Sequence, residues 1–162
     1  WEAAADSVRQ AGVRTVHARI GMVVSPAGGA LAKMLPIFRL GLGGPLGNGR
    51  QGVSWIGLDD LVHAFHHLLL EESVHGPVNL CVPQACSNKE WTSVLGRVLH
   101  RPAFLPAPAL ALRLVLGEMA DALLLSGQYT RPGVLLNSGY TFRWPRLEDY
   151  LRFCLGQPER PV

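Results

Sequence analysis

The chain has 162 residues, 48% of them hydrophobic and 17% charged, which is enough apolar material for a packed core and excludes a disordered chain. Its net charge of +3 is spread thinly, and the densest basic run, residues 143–152, also holds Glu148 and Asp149. Nucleic-acid binding needs a basic stripe on one face, so no nucleic-acid partner is expected.

Residues 1–11 are rich in alanine and end at Gly12, a helix followed by its stop signal. The first residues carry no initiator Met and read as the middle of a helix, so the chain is expected to begin inside a longer protein and to lack a signal peptide. Val13 to Ile20 alternates apolar and polar residues and predicts a strand, which Gly21-Met22-Val23-Val24 extends. Leu31, Met34, Leu35 and Phe38 recur at helical spacing, with Pro36 expected to kink that helix or open a second piece. A loop dense in glycine, Gly41 to Gly52, follows, then a short strand at Val53–Ile56.

The clearest helix begins at Leu58. Leu58, Leu61, Val62, Phe65, Leu68 and Leu69 make one apolar stripe, and Asp59 and Asp60 at its start suit the positive end of the helix dipole as capping carboxylates. His63 and His67 stand at the i, i+4 spacing of a helical metal pair. No Cys or acid completes four ligands, so His63, His66 and His67 read as a solvated face and no metal is expected.

Val78 to Val82 predicts a strand closed by Pro83, and Ser87-Asn88-Lys89-Glu90 predicts a capping box opening a helix through Leu99. Arg101 to Pro108 is an extended connector. Ala109 to Leu125 predicts a helix, the most apolar part of the chain. With its flank it is interrupted by Arg113, Glu118 and Asp121, so no bilayer span is expected. Gly139 to Pro145 reads as a short strand or turn whose Tyr140, Phe142 and Trp144 pack in the core, and a last helix covers about Leu147 to Leu155. Cys81, Cys86 and Cys154 are an odd set without a C-x-x-C pair. They read as free thiols in the cytoplasm or another reducing compartment, not as a redox pair or a secreted framework. Strands alternating with helices predict an α/β parallel sheet.

Several runs together resemble a known family. They are Arg19-Ile20-Gly21-Met22-Val23-Val24, Gly28-Gly29-Ala30-Leu31, Gly41 to Gly47, Trp55-Ile56-Gly57-Leu58-Asp59-Asp60-Leu61, Gly76-Pro77-Val78-Asn79-Leu80, Arg101-Pro102, Leu116-Gly117-Glu118 and Gly139-Tyr140-Thr141-Phe142. In order and spacing they resemble the atypical extended short-chain dehydrogenase/reductases called epimerase family proteins, including their C-terminal domain of unknown function. The likeness covers the C-terminal half of such a protein.

The resemblance implies the C-terminal part of a Rossmann-like doubly wound sheet (residues 1–82) and a small, mainly helical subdomain (residues 83–162). It implies NADP as cofactor and a small molecule as substrate. The family's glycine-rich phosphate loop is absent, since no G-x-G-x-x-G stands between a strand and a helix here. Gly57 takes the place where the family pattern has His.

By the same resemblance Arg19, Gly21, Met22 and Val23 fall beside the nicotinamide. Gly43, Gly44, Arg50, Gln51 and Trp55 fall in or after the substrate loop, and catalytic residues stay unassigned. The implied parent is an NADP-linked oxidoreductase or epimerase. The alternative is a non-catalytic interaction protein that self-associates through an incomplete sheet.

Overall fold

The computed structural model describes residues 2–107 and 127–157, and the expected helix at 109–125 lies outside them. Strand β1 (Val16–Ile20) runs parallel to β5 (Gly76–Leu80), with Val16 opposite Gly76 and Ile20 opposite Leu80. Strand β2 (Met22–Val24) follows at once but pairs in parallel with a different strand, β4 (Trp55–Gly57). The expected extension of β1 is therefore a transfer from one pairing to another. A third pair is antiparallel, β3 (Gly52–Val53) against β6 (Cys86–Ser87).

The transfer pivots on Gly21. Its N–H donates to the Leu80 carbonyl at 3.0 Å, and the next N–H, of Met22, donates to the Ser54 carbonyl at 2.7 Å. A Cβ at position 21 would stand 2.7 Å from that same Ser54 oxygen, so only glycine admits the approach.

Helices lie between the parallel strands, which cannot be joined by a tight hairpin. Before β1 lie a short 3-10 turn (Glu2–Ala5) and α1 (Asp6–Gln10) in place of one longer helix. Helix α2 (Gly29–Arg39) links β2 to the glycine-dense loop and runs through Pro36 as one element. Helix α3 (Leu58–Leu70) links β4 to β5. Its predicted stripe divides: Leu61, Ala64 and Leu68 are buried, whereas Val62, Phe65 and Leu69 are 59%, 40% and 72% exposed. Helix α4 (Asn88–Val98) opens with the predicted capping box. The Glu90 N–H donates to Ser87 Oγ at 3.2 Å, and the Ser87 N–H donates to Glu90 Oε2 at 2.8 Å. A short helix, α5 (Gly133–Asn137), has no clear sequence signal, and α6 (Leu147–Cys154) falls where expected.

One core runs through these layers: Val24, Leu31, Trp55, Ile56, Val78, Leu80, Trp91, Leu95, Leu135, Tyr150 and Leu151 are among its buried members. Two polar anchors join the C-terminal elements to α3. Asp60 is fully buried and is not a cap. Its Oδ1 accepts the Arg143 N–H at 2.9 Å and its Oδ2 the Trp144 N–H at 2.9 Å, while the Tyr140 hydroxyl lies 2.9 Å from its backbone oxygen.

The Tyr150 hydroxyl donates to the Val24 carbonyl at 2.8 Å and accepts the Leu58 N–H at 2.9 Å. It thereby serves as the cap that α3 lacks from its own N-cap residue, Gly57. Gly57 makes room for this ring, because a Cβ there would meet it at 2.5 Å. Leaving several buried donors without an acceptor is costly. Asp60→Ala is therefore expected to lower stability by about 3 kcal/mol, measured as a drop in the urea midpoint. An unchanged midpoint would show that segment 140–144 is held without it.

Candidate functional site

A cleft of about 790 Å³ opens at the carboxyl ends of β1 and β5, the place where open α/β sheets receive ligands. Arg19, Gly21 and Met22 form one wall, from the β1–β2 transfer. Lys33 and Met34 reach it from α2, and Leu46, Gln51, Gly52, Val53 and Ser54 from the loop and β3. Asn79 and Cys81 close the floor from the end of β5, Asn88 and Trp91 come from α4, and Gln128 and Thr130 cross from the C-terminal part of the chain.

That crossing segment is fastened by side chains. Ser54 Oγ donates to the Gln128 carbonyl at 2.7 Å and accepts the Thr130 N–H at 2.8 Å. Asn79 Nδ2 donates to the Arg131 carbonyl at 3.1 Å, and the Tyr129 hydroxyl donates to the Arg50 carbonyl at 3.2 Å. Gly52 and Gly127 let the two backbones touch: a Cβ on Gly127 would collide with the Gly52 oxygen.

The structure brings four sequence-predicted residues into this cleft: Arg19, Gly21, Met22 and Gln51. Arg19 is engaged by Glu2, with Nε to Oε1 at 2.6 Å, and this hydrogen bond holds the Glu2 carboxyl below its usual range. Gln51 donates from Nε2 to the Leu46 carbonyl at 3.1 Å.

The other five stand elsewhere. Val23 pairs with Ile56 inside β2–β4. Gly43 packs against the Phe38 ring and Gly44 against the Leu105 backbone, so these two glycines serve chain-to-chain contact. Arg50 is exposed, its N–H bound to Asn48 Oδ1 at 2.9 Å. Trp55 is fully buried, its ring centroid 5.9 Å from that of Tyr150. Sequence reasoning missed Lys33, Ser54, Asn79, Asn88, Trp91, Gln128 and Thr130. Asn88 lay in the capping box, where it read only as the first residue of a helix, and Asn79 in a family-like run, where it read only as part of a strand.

The histidines are less uniform than a solvated face. His63 and His66 are exposed, whereas His67 Nε2 lies 2.9 Å from Ser138 Oγ and its ring meets Tyr140 edge-on. Among the described residues no group of three His, Cys, Asp or Glu side chains is placed to hold a metal, and no helix is long and apolar enough to cross a membrane.

All three cysteines are free. Burial pushes the Cys86 thiol up to about 12, aided by Glu90, and the Cys154 thiol up to about 11, and raises Cys81 as well.

A parallel α/β sheet with its cleft at the strand ends is the arrangement of Rossmann-like epimerases and dehydrogenases, and comparison with known proteins agrees. The domain of unknown function DUF1731 matches residues 107–154. Epimerase family protein Mb2239 of Mycobacterium bovis is 42% identical over 98% of this chain and 52% of its own length. Human epimerase family protein SDR39U1 is 41% identical over 94% of this chain and 52% of its own length.

The crystal structure of human SDR39U1 (isoform 2) with NADPH superposes with a TM-score of 0.85 at 38% identity, covering 89% of this chain and 49% of that one. A nucleoside-diphosphate sugar epimerase from Corynebacterium glutamicum gives a TM-score of 0.74 at 28% identity, covering 96% of this chain and 29% of that one. The chain belongs to the epimerase family proteins. It spans about half the length of the curated relatives it matches.

The thiol environments carry a measurable consequence. A thiol pKa raised on folding favours the native state fully below the ordinary value of 9.0, and this contribution is lost as pH climbs through the folded values of about 11 and 12. At pH 8 a disulfide reagent is therefore expected to label the native chain slowly and to titrate all three thiols promptly in denaturant. Fast native labelling would contradict the burial of Cys81 and the partial burial of Cys86 and Cys154.

Proposed function

We propose that this chain supplies the nicotinamide-side and substrate-side walls of an NADP-dependent oxidoreductase or epimerase pocket. The observation that carries the reading is the meeting of Arg19, Gly21 and Met22 with Gln51 in one cleft at the carboxyl ends of β1 and β5. The relative crystallised with NADPH supports the choice of nucleotide. Within this reading Gly21 and Met22 present backbone edges to the nicotinamide or its ribose, and Arg19 exchanges its Glu2 partner for an acceptor on the ligand. Residues 1–82 form the Rossmann-like part and residues 83–162 the subdomain that covers the substrate.

NADP would supply hydride transfer when bound. This chain's own residues orient the reacting ring and exclude water from it. The G-x-G-x-x-G run that the chain does contain, Gly47 to Gly52, lies in the loop leading into β3 and not between a strand and a helix, so on this reading it is no pyrophosphate cradle and the adenine side lacks a matching wall.

The two ends of the cofactor therefore give opposite expectations. Reduced nicotinamide mononucleotide is expected to shift the Gly21 and Met22 amide signals with a Kd of about 1 mM, equivalent to about 4 kcal/mol. Adenosine 2′,5′-bisphosphate is expected to shift nothing, and calorimetric titration with NADPH to give weak heat or none. Tight NADPH binding, or a response to the adenosine half alone, would overturn the assignment of sides.

A second reading, a non-catalytic interaction protein on the same fold, is favoured by two observations. Strand β1 pairs on one side alone among the described residues, and Leu58, Val62, Phe65 and Leu69 form an exposed apolar stripe on α3. On this reading, light scattering coupled to size-exclusion chromatography should find self-association that Val62→Lys and Leu69→Glu weaken. A stable monomer in the parent chain removes the support.

A further inference from the structure

We propose that the Asn88 carboxamide reads the ligand of this cleft by donating from Nδ2 to an oxyanion, a carboxylate or phosphoryl oxygen, of a small molecule with an apolar body. The proposal rests on the cleft being the substrate side of the pocket and names the chemistry of what binds there.

Asn88 is the first residue of α4 and only 7% exposed. Two contacts fix it. Its backbone N–H donates to the Gln51 carbonyl at 2.9 Å, and its Oδ1 accepts the Leu46 N–H at 2.8 Å. The second contact settles which way the amide faces, because the flipped amide would set its NH2 donors against the Leu46 donor. Nδ2 must then turn away from Leu46, and no described residue accepts a hydrogen bond from it. It is not among the sealed side-chain nitrogens, which are the indoles of Trp55, Trp91 and Trp144. This NH2 is therefore open to solvent, and a ligand oxygen that displaces its water gains a donor already oriented by the Leu46 contact.

The surroundings define that acceptor. Trp91, one turn further along α4, lines the same cleft and its Nε1 also lacks a partner. The cleft is lined by two cationic side chains, Arg19 and Lys33, and by no Asp, Glu or His among the described residues. Glu2 already neutralises Arg19, whereas Lys33 carries no ion pair among the described residues. An amide donor and a lysine in one cleft, with no carboxylate in its described lining, favour a negatively charged oxygen. Met22, Met34, Val53 and the Trp91 ring supply apolar surface for the rest of the molecule. The volume of about 790 Å³ lies within the range for small-molecule sites.

Asn88→Asp tests the idea with little steric change. The carboxylate still offers an oxygen to the Leu46 N–H, so the melting temperature should hold, but the donor is gone and a negative charge replaces it. The probes are phenyl phosphate and phenylacetate, with benzyl alcohol as the neutral match, added at millimolar concentration to the full chain labelled with nitrogen-15. The Asn88 NH2 pair, assigned by its disappearance in the variant, should shift saturably with one or both anions and not with benzyl alcohol. The anion that binds tells phosphoryl from carboxylate recognition.

Binding should weaken roughly tenfold or more in Asn88→Asp and several-fold in Lys33→Gln, in which the Asn88 pair remains visible. An Asn88 pair unmoved by either anion, an equal response to benzyl alcohol, or undiminished binding by Asn88→Asp would overturn the proposal. Movement at Gly21 and Met22 with the nicotinamide probe while Asn88 ignores the anions would remove this inference and leave the cofactor side standing. The reverse pattern would remove the cofactor side and leave this one.

Discussion

At Gly21 two pairings compete for one stretch of backbone, and the position of everything around the cleft follows from how that competition is resolved. The Gly21 N–H is held by Leu80 of β5 and the Met22 N–H by Ser54, just before β4. A strand that hands over within one residue brings the ends of both parallel pairs together. The absence of a Cβ lets the Ser54 carbonyl come in at that point. Ser54 then holds a second junction from its side chain, fastening Gln128 and Thr130 across the cleft. One glycine and one serine thus bring residues 19–22 and the C-terminal segment to the same cleft.

The far side of the sheet is held by a different device. Asp60 and Tyr150 tie α3 to residues 140–154 through buried hydrogen bonds, not through strand pairing. Buried polar groups specify one arrangement because each misplacement leaves a donor or acceptor unmet. Tyr150 touches the last residue of β2 and the first of α3, so it fixes the angle at which α3 leaves the sheet. Gly57 and Tyr150 form a matched pair: the ring occupies the space that a side chain at position 57 would need. The aromatic cluster of Trp144, Tyr150 and Phe153 packs behind it.

Residues whose local pattern and tertiary role coincide were legible in the sequence. The capping box at Ser87–Glu90, helix α3 and the two strands read at Val13–Ile20 and Val78–Val82, which form at Val16–Ile20 and Gly76–Leu80, each carry their cause within a few neighbouring residues. Glycines are harder to read, since lacking a side chain is useful for a ligand and for another chain segment alike. Gly43 lies against Phe38 and Gly44 against Leu105, while Gly21 serves a strand exchange that its own neighbours do not announce. Asp60 reads as a cap because its true partners, Arg143 and Trp144, are more than 80 residues away.

The walls of the cleft show the same asymmetry. Its β1–β2 wall was recognisable from Arg19 to Met22, because family resemblance marks that run and strand ends receive ligands. The opposing wall comes from α2, α4 and residues 128–130, which share no sequence pattern and meet only in space. An asparagine at a helix start is ordinary by itself. It becomes informative when its oxygen is taken by Leu46, its nitrogen has no acceptor among the described residues, and Lys33 in the same lining has no acid partner among them. That combination is set by three separate segments, so the chemistry of the ligand is encoded in their packing and not in any motif.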